Sequence, residues 1–274
     1  MEGLTILGGK GFIGSQYVKD YYDAAIGNIA SVNSREDYTV HSKDVLYFIS
    51  TTDNQNVYLN PLLDINTNLV TLIKVLENWR LRPDSHDGVF NFISSWFVNS
   101  STKGFYTSTK RCAEELLESY CTAFGLKYRI LRLPNVVGPE DKTVSAKKNA
   151  LQYVIGLLAK DQDVRLRSAL REYMHVEDCV RAIDTILARG GVNTVYEVGT
   201  GEKKDFASAV AHARRLLNSK SRIIYEEGID LGAPVTKTEP LRMLGFYPKY
   251  SFNEIIHQLV ARVRNENPDS NSQR

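Results

Sequence analysis

The first fourteen residues constrain the fold most: Leu4-Thr-Ile-Leu7 runs into Gly8-Gly9-Lys10-Gly11-Phe12-Ile13-Gly14. A short apolar run ends in glycines, and apolar residues at helical spacing follow from Phe12 to Tyr22, so the chain opens as strand, tight turn and helix. The turn satisfies both G-x-G-x-x-G, from Gly9, and G-x-x-G-x-x-G, from Gly8. Between a strand and a helix, such glycines permit a sharp turn and let the backbone approach a pyrophosphate. They also leave helix N-terminal N–H groups aimed at the anion. The spacing therefore predicts dinucleotide binding at Gly8, Gly11, Phe12, Ile13 and Gly14, with a merely structural turn as the alternative.

The alternation continues. Strands are predicted at 29–32 and 45–49, with about a dozen residues between them and no room for a helix. Asp64 to Trp79 repeats apolar residues at i, i+3, i+4 and i+7 and predicts one helix; 89–93 then predicts a buried strand. Tyr106 to Phe124 predicts a long helix stopped by Gly125, and 128–133 a strand ended by Pro134. Strand after helix after strand indicates an α/β fold, a Rossmann-type doubly wound parallel sheet. After Gly138-Pro139 the pattern loosens into helices near 147–159, 176–189, 204–217 and 252–264, with strands near 164–167, 195–198 and 222–225. The expected division is a nucleotide-binding core over 1–140 and a small C-terminal substrate-binding lobe over 141–264, some of whose segments return to the sheet. A polar tail, 265–274, completes it.

Composition excludes several classes. Thirty-four basic against 32 acidic residues give a formal charge of +2, too balanced for a binder of nucleic acid. The three cysteines, Cys112, Cys121 and Cys179, form no C-x-x-C pair and read as ordinary thiols, so neither a disulfide framework nor a metal is expected. No apolar run is long enough for a membrane span, which makes a cytoplasmic protein without a membrane partner the default expectation.

Two further clusters carry chemistry. Asn33-Ser34-Arg35 follows the second strand, where a carboxylate would read a free ribose 2′-hydroxyl and an arginine a 2′-phosphate. An amide there, with Ser34 and Arg35 beside it, leans towards NADP over NAD, unless Arg35 is only a solvated loop charge. Tyr106-Thr-Ser-Thr-Lys110 opens a helix with a phenol and an ammonium one turn apart. A neighbouring ammonium favours the phenolate and suits the tyrosine to acid/base work on an alcohol or ketone. Ser95, at the end of the preceding strand, is placed to hydrogen-bond the same substrate oxygen.

With the glycine turn upstream, Ser95, Tyr106 and Lys110 resemble the catalytic set of short-chain dehydrogenases/reductases. Further stretches are similar to its extended branch of sugar-nucleotide epimerases, dehydratases and reductases: Asp64-Ile-Asn66, Arg132-Leu-Pro-Asn-Val-Val-Gly-Pro139, Arg171-Glu-Tyr-Met-His-Val-Glu-Asp178, Tyr196-Glu-Val-Gly199 and Leu244-Gly-Phe-Tyr-Pro248. The resemblance implies a nucleotide-diphosphate sugar as substrate, with Asn135 and Arg171 along its diphosphate. It also implies that Lys110 contacts the nicotinamide ribose. The alternative for Arg171 is a loop arginine paired to Glu172 or Glu177, and His175 reads as structural. A homodimer is implied through the helices at 64–79 and 106–124, with Leu116, Leu117 and Tyr120 as an apolar flank.

The chain also departs from that branch. The Asp-Ile/Val dipeptide that flanks adenine is missing, and Ser50-Thr51-Thr52 replaces a small apolar pair near the cofactor ribose, where the three could add hydrogen bonds. Tyr106 follows Ser95 at only 11 positions' distance, a short loop for the branch. Trp96 and Phe97 stand where the branch's 4,6-dehydratases carry an Asp-Glu pair, so dehydration is not expected. Epimerisation and ketoreduction at a sugar carbon remain, and the Arg35 reading tilts towards reduction. A non-catalytic NAD(P)-binding sensor or RNA-associated scaffold is the alternative from another class.

Overall fold

The computed structural model describes residues 3–23, 25, 27–33, 36–51, 56–101, 104–139, 141 and 149–266. Strand β1 (Leu4–Leu7) is buried along its length and leads through the glycine turn into α1 (Phe12–Tyr21). Strands β2 (Ser31–Asn33) and β3 (Asp44–Tyr47) flank β1 in parallel, with Thr5 opposite Ser31 and Leu7 opposite Tyr47. The described part of their connection holds no helix, as the sequence indicates.

The single helix expected from 64 to 79 is broken into parts. Short helices α2 (Asn56–Leu59) and α3 (Pro61–Ile65) lead into a π-helical turn, Asn66–Val70, and then α4 (Thr71–Arg80). Its apolar spacing continues across the π turn, so periodicity alone does not show the break. Next come β4 (Val89–Ser95), α5 (Phe105–Phe124), β5 (Lys127–Leu133) and the short β6 (Asn135–Val137).

The remaining elements are α6 (Ala150–Leu158), β7 (Val164–His175), α7 (Val176–Arg189), β8 (Thr194–Glu197), β9 (Lys203–Asp205), α8 (Phe206–Leu217), β10 (Ile223–Asp230), α9 (Glu239–Met243) and α10 (Phe252–Glu266). The main sheet is parallel in the order β2-β1-β3-β4-β5-β8, so β8 comes back from late in the sequence to pair with β5. Alternate side chains face opposite layers. Leu4, Ile6, Leu46 and Leu131 pack with α1 and α7, whereas Val45, Tyr47, Phe90, Phe92 and Ile130 pack with α4 and α5. Each such side chain contributes about 1.5–3 kcal/mol when fully buried.

Leu117 belongs to that second layer and is fully buried, so it faces the sheet and not an outer flank. Leu116 and Tyr120 also pack against the layer, and the Tyr120 hydroxyl bonds Glu77 and accepts from Arg80 Nε at 3.0 Å. The apolar flank expected on α5 is largely spent within one chain.

In the lobe, α6, α8 and α10 enclose a core against β7, which pairs with β10 and β6 in parallel and with β9 antiparallel. β7 is 12 residues long, far beyond the four expected, and its polar middle, which borders a cleft, hides that extent from the apolar pattern. With Asn135 opposite Tyr173, β6 and β7 carry their polar residues to the C-terminal ends of the main strands. Ligands of open α/β sheets bind at such an edge.

Candidate active site

A cleft of about 1040 Å³ runs along that edge. At one end is the glycine turn. Gly8 has φ +80°, and a Cβ on Gly14 would come within 2.6 Å of the Gly8 carbonyl oxygen, so neither position accepts a side chain without strain. Gly11 caps α1 with no side-chain partner for the helix, and its own N–H donates to Gly8 at 3.0 Å. The first-turn N–H groups of Phe12, Ile13 and Gly14 therefore lack intrahelical acceptors, and all three residues line the cleft. Such a cradle fits a dinucleotide pyrophosphate.

Nearby, the Asn33 amide turns inward and donates to the Thr39 carbonyl at 2.6 Å, while its backbone oxygen accepts from Gly8 N–H at 3.2 Å. Asn33 thus braces the turn; it is Glu36, with Lys10, that lines the cleft here. Ser34, Arg35 and Thr52 lie outside the described residues. Ser50 and Thr51, after β3, line the middle of the cleft.

Opposite them, β4 delivers Ser95 and α5 delivers Tyr106 and Lys110. The Ser95 hydroxyl oxygen accepts from Phe97 N–H at 3.3 Å, capping a 3-10 turn over Trp96–Asn99. The hydroxyls of Ser95 and Ser50 both hydrogen-bond the Tyr106 phenol and pull its pKa down. Burial outweighs them and pushes it above the ordinary tyrosine value, and the buried Asp64 adds to the rise. The Lys110 ammonium is not placed as expected. It donates to the Ile93 carbonyl at 2.9 Å and lies 4.3 Å from the centre of the Phe92 ring, because its long arm reaches back to β4. Burial lowers its pKa to about 7, against a raising effect of Glu114. Serines, and not the lysine, are thus the direct partners of the phenol.

At the far end, Asn135 donates to the Glu172 carbonyl at 3.1 Å and lines the cleft. Arg171 pairs with neither Glu172 nor Glu177. Its guanidinium meets Asp230 at 2.5 Å and sits 5.2 Å from the centre of the Phe97 ring. Glu172 is buried instead among Thr200, Gly201 and Thr236, accepting from their N–H and hydroxyl groups. His175 Nδ1 accepts from Glu177 N–H at 3.3 Å at the start of α7, and its ring lies 4.0 Å from that of Tyr250.

Arg167, Asp230 and Glu36 also line the cleft without having been singled out in the sequence. Strand alternation through β7 gives the missing signal for one of them, since Arg167, Ala169, Arg171 and Tyr173 share one face. Among the described residues, no group of three or more His, Cys, Asp or Glu side chains could hold a metal ion. No helix among them is long and apolar enough to cross a membrane.

The profile of the NAD dependent epimerase/dehydratase family matches residues 92–199, which hold Ser95, Tyr106, Lys110, Asn135 and Arg171. The chain is similar to a putative UDP-glucose 4-epimerase of Methanocaldococcus jannaschii, 22% identical over 96% of this chain and 99% of that protein. A dTDP-glucose 4,6-dehydratase of Streptomyces griseus is 24% identical, covering 94% of this chain and 93% of its own. The fold matches the Thermotoga maritima UDP-glucose 4-epimerase solved with UDP-glucose, with TM-score 0.81 and 20% identity over 96% of this chain and 99% of that one. Trp96 and Phe97 lie within the matched stretch. The Trp96 indole N–H is spent on the Pro234 carbonyl, and Phe97 lies beneath Arg171.

Proposed function

We propose that the protein transfers hydride at a carbon of a nucleotide-diphosphate sugar, as a C4 epimerase or 4-ketoreductase and not as a 4,6-dehydratase. One observation carries this reading. A single cleft joins the glycine cradle to Ser95, Tyr106 and Lys110 and then to Asn135, Arg167 and Arg171. Gly8, Gly11, Phe12, Ile13 and Gly14 would hold the pyrophosphate, and Ser50, Thr51 and Lys110 the nicotinamide ribose. When bound, the nicotinamide supplies or accepts the hydride.

The remaining chemistry belongs to side chains. Tyr106 takes or gives the proton on the substrate oxygen, Ser95 donates a hydrogen bond to that oxygen, and the arginines offset the diphosphate charge. The dehydratase relatives are met by Trp96 and Phe97: an indole bonded to Pro234 and a phenyl ring under Arg171 offer neither a general acid nor a general base.

The choice of cofactor rests on Arg35 against Glu36. A cleft-lining carboxylate suits free ribose hydroxyls, and with Asn33 turned inward this favours NAD, and epimerisation over reduction. Incubation with UDP- and dTDP-hexoses and NAD⁺, or with 4-keto-6-deoxy sugar nucleotides and NADPH, tests the proposal. A C4 epimer or consumption of NADPH supports it. Cofactor binding with no turnover of any of these would favour the sensor reading.

A further inference from the structure

Behind Ser95, Tyr106 and Lys110 lies a buried ion pair that does not itself line the cleft. Glu114, on α5, is 5% exposed, and Arg132 Nη2, from β5, meets its Oε2 at 2.6 Å. Arg132 Nε donates to both carboxylate oxygens, at 3.1 and 3.2 Å, and the Ser94 hydroxyl donates to Oε1. Ser94 and Arg132 are register partners in the parallel sheet, so both side chains take the face turned to α5. The other arm of the guanidinium, Nη1, donates to Asn99 Oδ1 at 3.3 Å, at the end of the 3-10 turn that Ser95 caps.

Tyr106, Lys110 and Glu114 are four residues apart and follow one ridge of α5. Lys110 ties that ridge to β4 through the Ile93 carbonyl at 2.9 Å, and Glu114 ties it to Ser94 and, through Arg132, to β5. Two consecutive residues of β4 are thus bound to α5 just before Ser95, and the turn just after Ser95 is bound to the same arginine. A guanidinium fork on a carboxylate fixes angle as well as distance. A buried pair adds little net stability over well-packed apolar side chains, so what this one supplies is geometry.

We propose that Glu114, clamped by Arg132, is the positioning residue of the catalytic centre, holding Tyr106 and Lys110 on α5 against the end of β4 that carries Ser95. This rests on those three being the acting groups of the reading above. The same carboxylate, one helical turn from Lys110, favours the ammonium against the burial that lowers its pKa to about 7. The other ionisable groups of this region are Tyr106 on the same helix, Arg132 on β5 and Asp64 ahead of the π turn.

Two readouts test the assignment, one of them without a sugar substrate. Glu114→Gln keeps the shape of the side chain and an acceptor for Ser94 but removes the charge that holds Arg132. With lysine labelled with carbon-13 at Cε, and the Lys110 signal assigned by its loss in Lys110→Met, the NMR titration midpoint should fall by roughly one pH unit in Glu114→Gln. A negative neighbour is lost and Arg132 is left uncompensated, and both effects disfavour the ammonium. In turnover, Glu114→Gln should lower kcat by about 10–100-fold, as a small misplacement of reacting groups does, with the sugar-nucleotide KM and NAD⁺ affinity within about twofold of wild type. Arg132→Lys keeps the charge without the fork, so kcat should fall with the midpoint nearly unmoved; it also serves if Glu114→Gln does not fold. A lower melting temperature with kcat and midpoint both unmoved reduces the pair to a structural salt bridge and overturns the proposal. So does a loss in KM or NAD⁺ affinity with kcat intact. If the wild type turns over no sugar nucleotide, the proposed reaction fails; a midpoint that still falls in Glu114→Gln then keeps the tie from Glu114 to Lys110, and an unmoved one removes it as well.

Discussion

The two ends of the cleft are built from different material. The end proposed for the cofactor is backbone: a φ of +80° at Gly8, a Gly14 with no room for Cβ, and three N–H groups at the start of α1. The end proposed for the sugar nucleotide is side chains: Arg167, Arg171, Asn135 and Asp230, carried on β6, on alternate residues of β7 and at the end of β10. A backbone site fails when a single methyl group is added, whereas a side-chain site can be retuned residue by residue. A fold of this kind can therefore keep a backbone cradle while its side-chain end diverges.

The largest expected effect breaks the backbone end. Gly14→Ala sets a Cβ 2.6 Å from the Gly8 oxygen and 2.8 Å from Gly9 Cα, and neither backbone atom can yield cheaply. Calorimetry should show NAD⁺ binding abolished, while an equally conservative change at the sugar end leaves it intact. Next comes the chemical centre. Tyr106→Phe should cost on the order of 10²–10⁴ in kcat with cofactor affinity kept, measured by steady-state turnover and cofactor titration.

Arg171→Met sharpens the comparison from the sugar side. It should raise KM for the sugar nucleotide by about 10–100-fold, as expected for one charge-assisted contact, without changing NAD⁺ affinity. Equal losses for cofactor and sugar would erase the distinction between the two ends.

Lys110 couples the ends and gives a pH-dependent effect. Its folded pKa of about 7 lies below the ordinary lysine value near 10.5, so folding disfavours its charged form. Wild-type stability from this group is fully present above the unfolded value, falls as the pH drops towards 7, and stays reduced below it. The melting temperature of Lys110→Met relative to wild type should therefore be more favourable at pH 6 than at pH 10, although turnover is lost. The smallest effect concerns the adenosine: Glu36→Gln should shift the NAD/NADP affinity ratio a few-fold towards NADP, and Arg35→Ala should leave it nearly unchanged.

The backbone end was also the more legible in the sequence. Strand, glycine turn and helix are local, and α7 falls at 176–189 as its apolar spacing indicates. What sequence could not carry depends on long-range contact. Ser50 meets Tyr106, and Arg171 meets Asp230, across gaps that no periodicity encodes. The Lys110 ammonium found a carbonyl on β4 in place of the neighbouring phenol, since the fully buried arm was fixed by packing and not by helical spacing. β7 was underestimated because cleft-lining residues blur its apolar alternation.

The claim of hydride transfer without dehydration is tested most directly by the product formed from UDP- or dTDP-hexoses with NAD⁺ in deuterated water. NMR should show the C4 epimer with no solvent deuterium on the sugar ring, because Tyr106 exchanges only the oxygen-bound proton. A 4-keto-6-deoxy sugar carrying solvent deuterium would contradict the account, since it would require the carbon acid/base chemistry that Trp96 and Phe97 cannot supply.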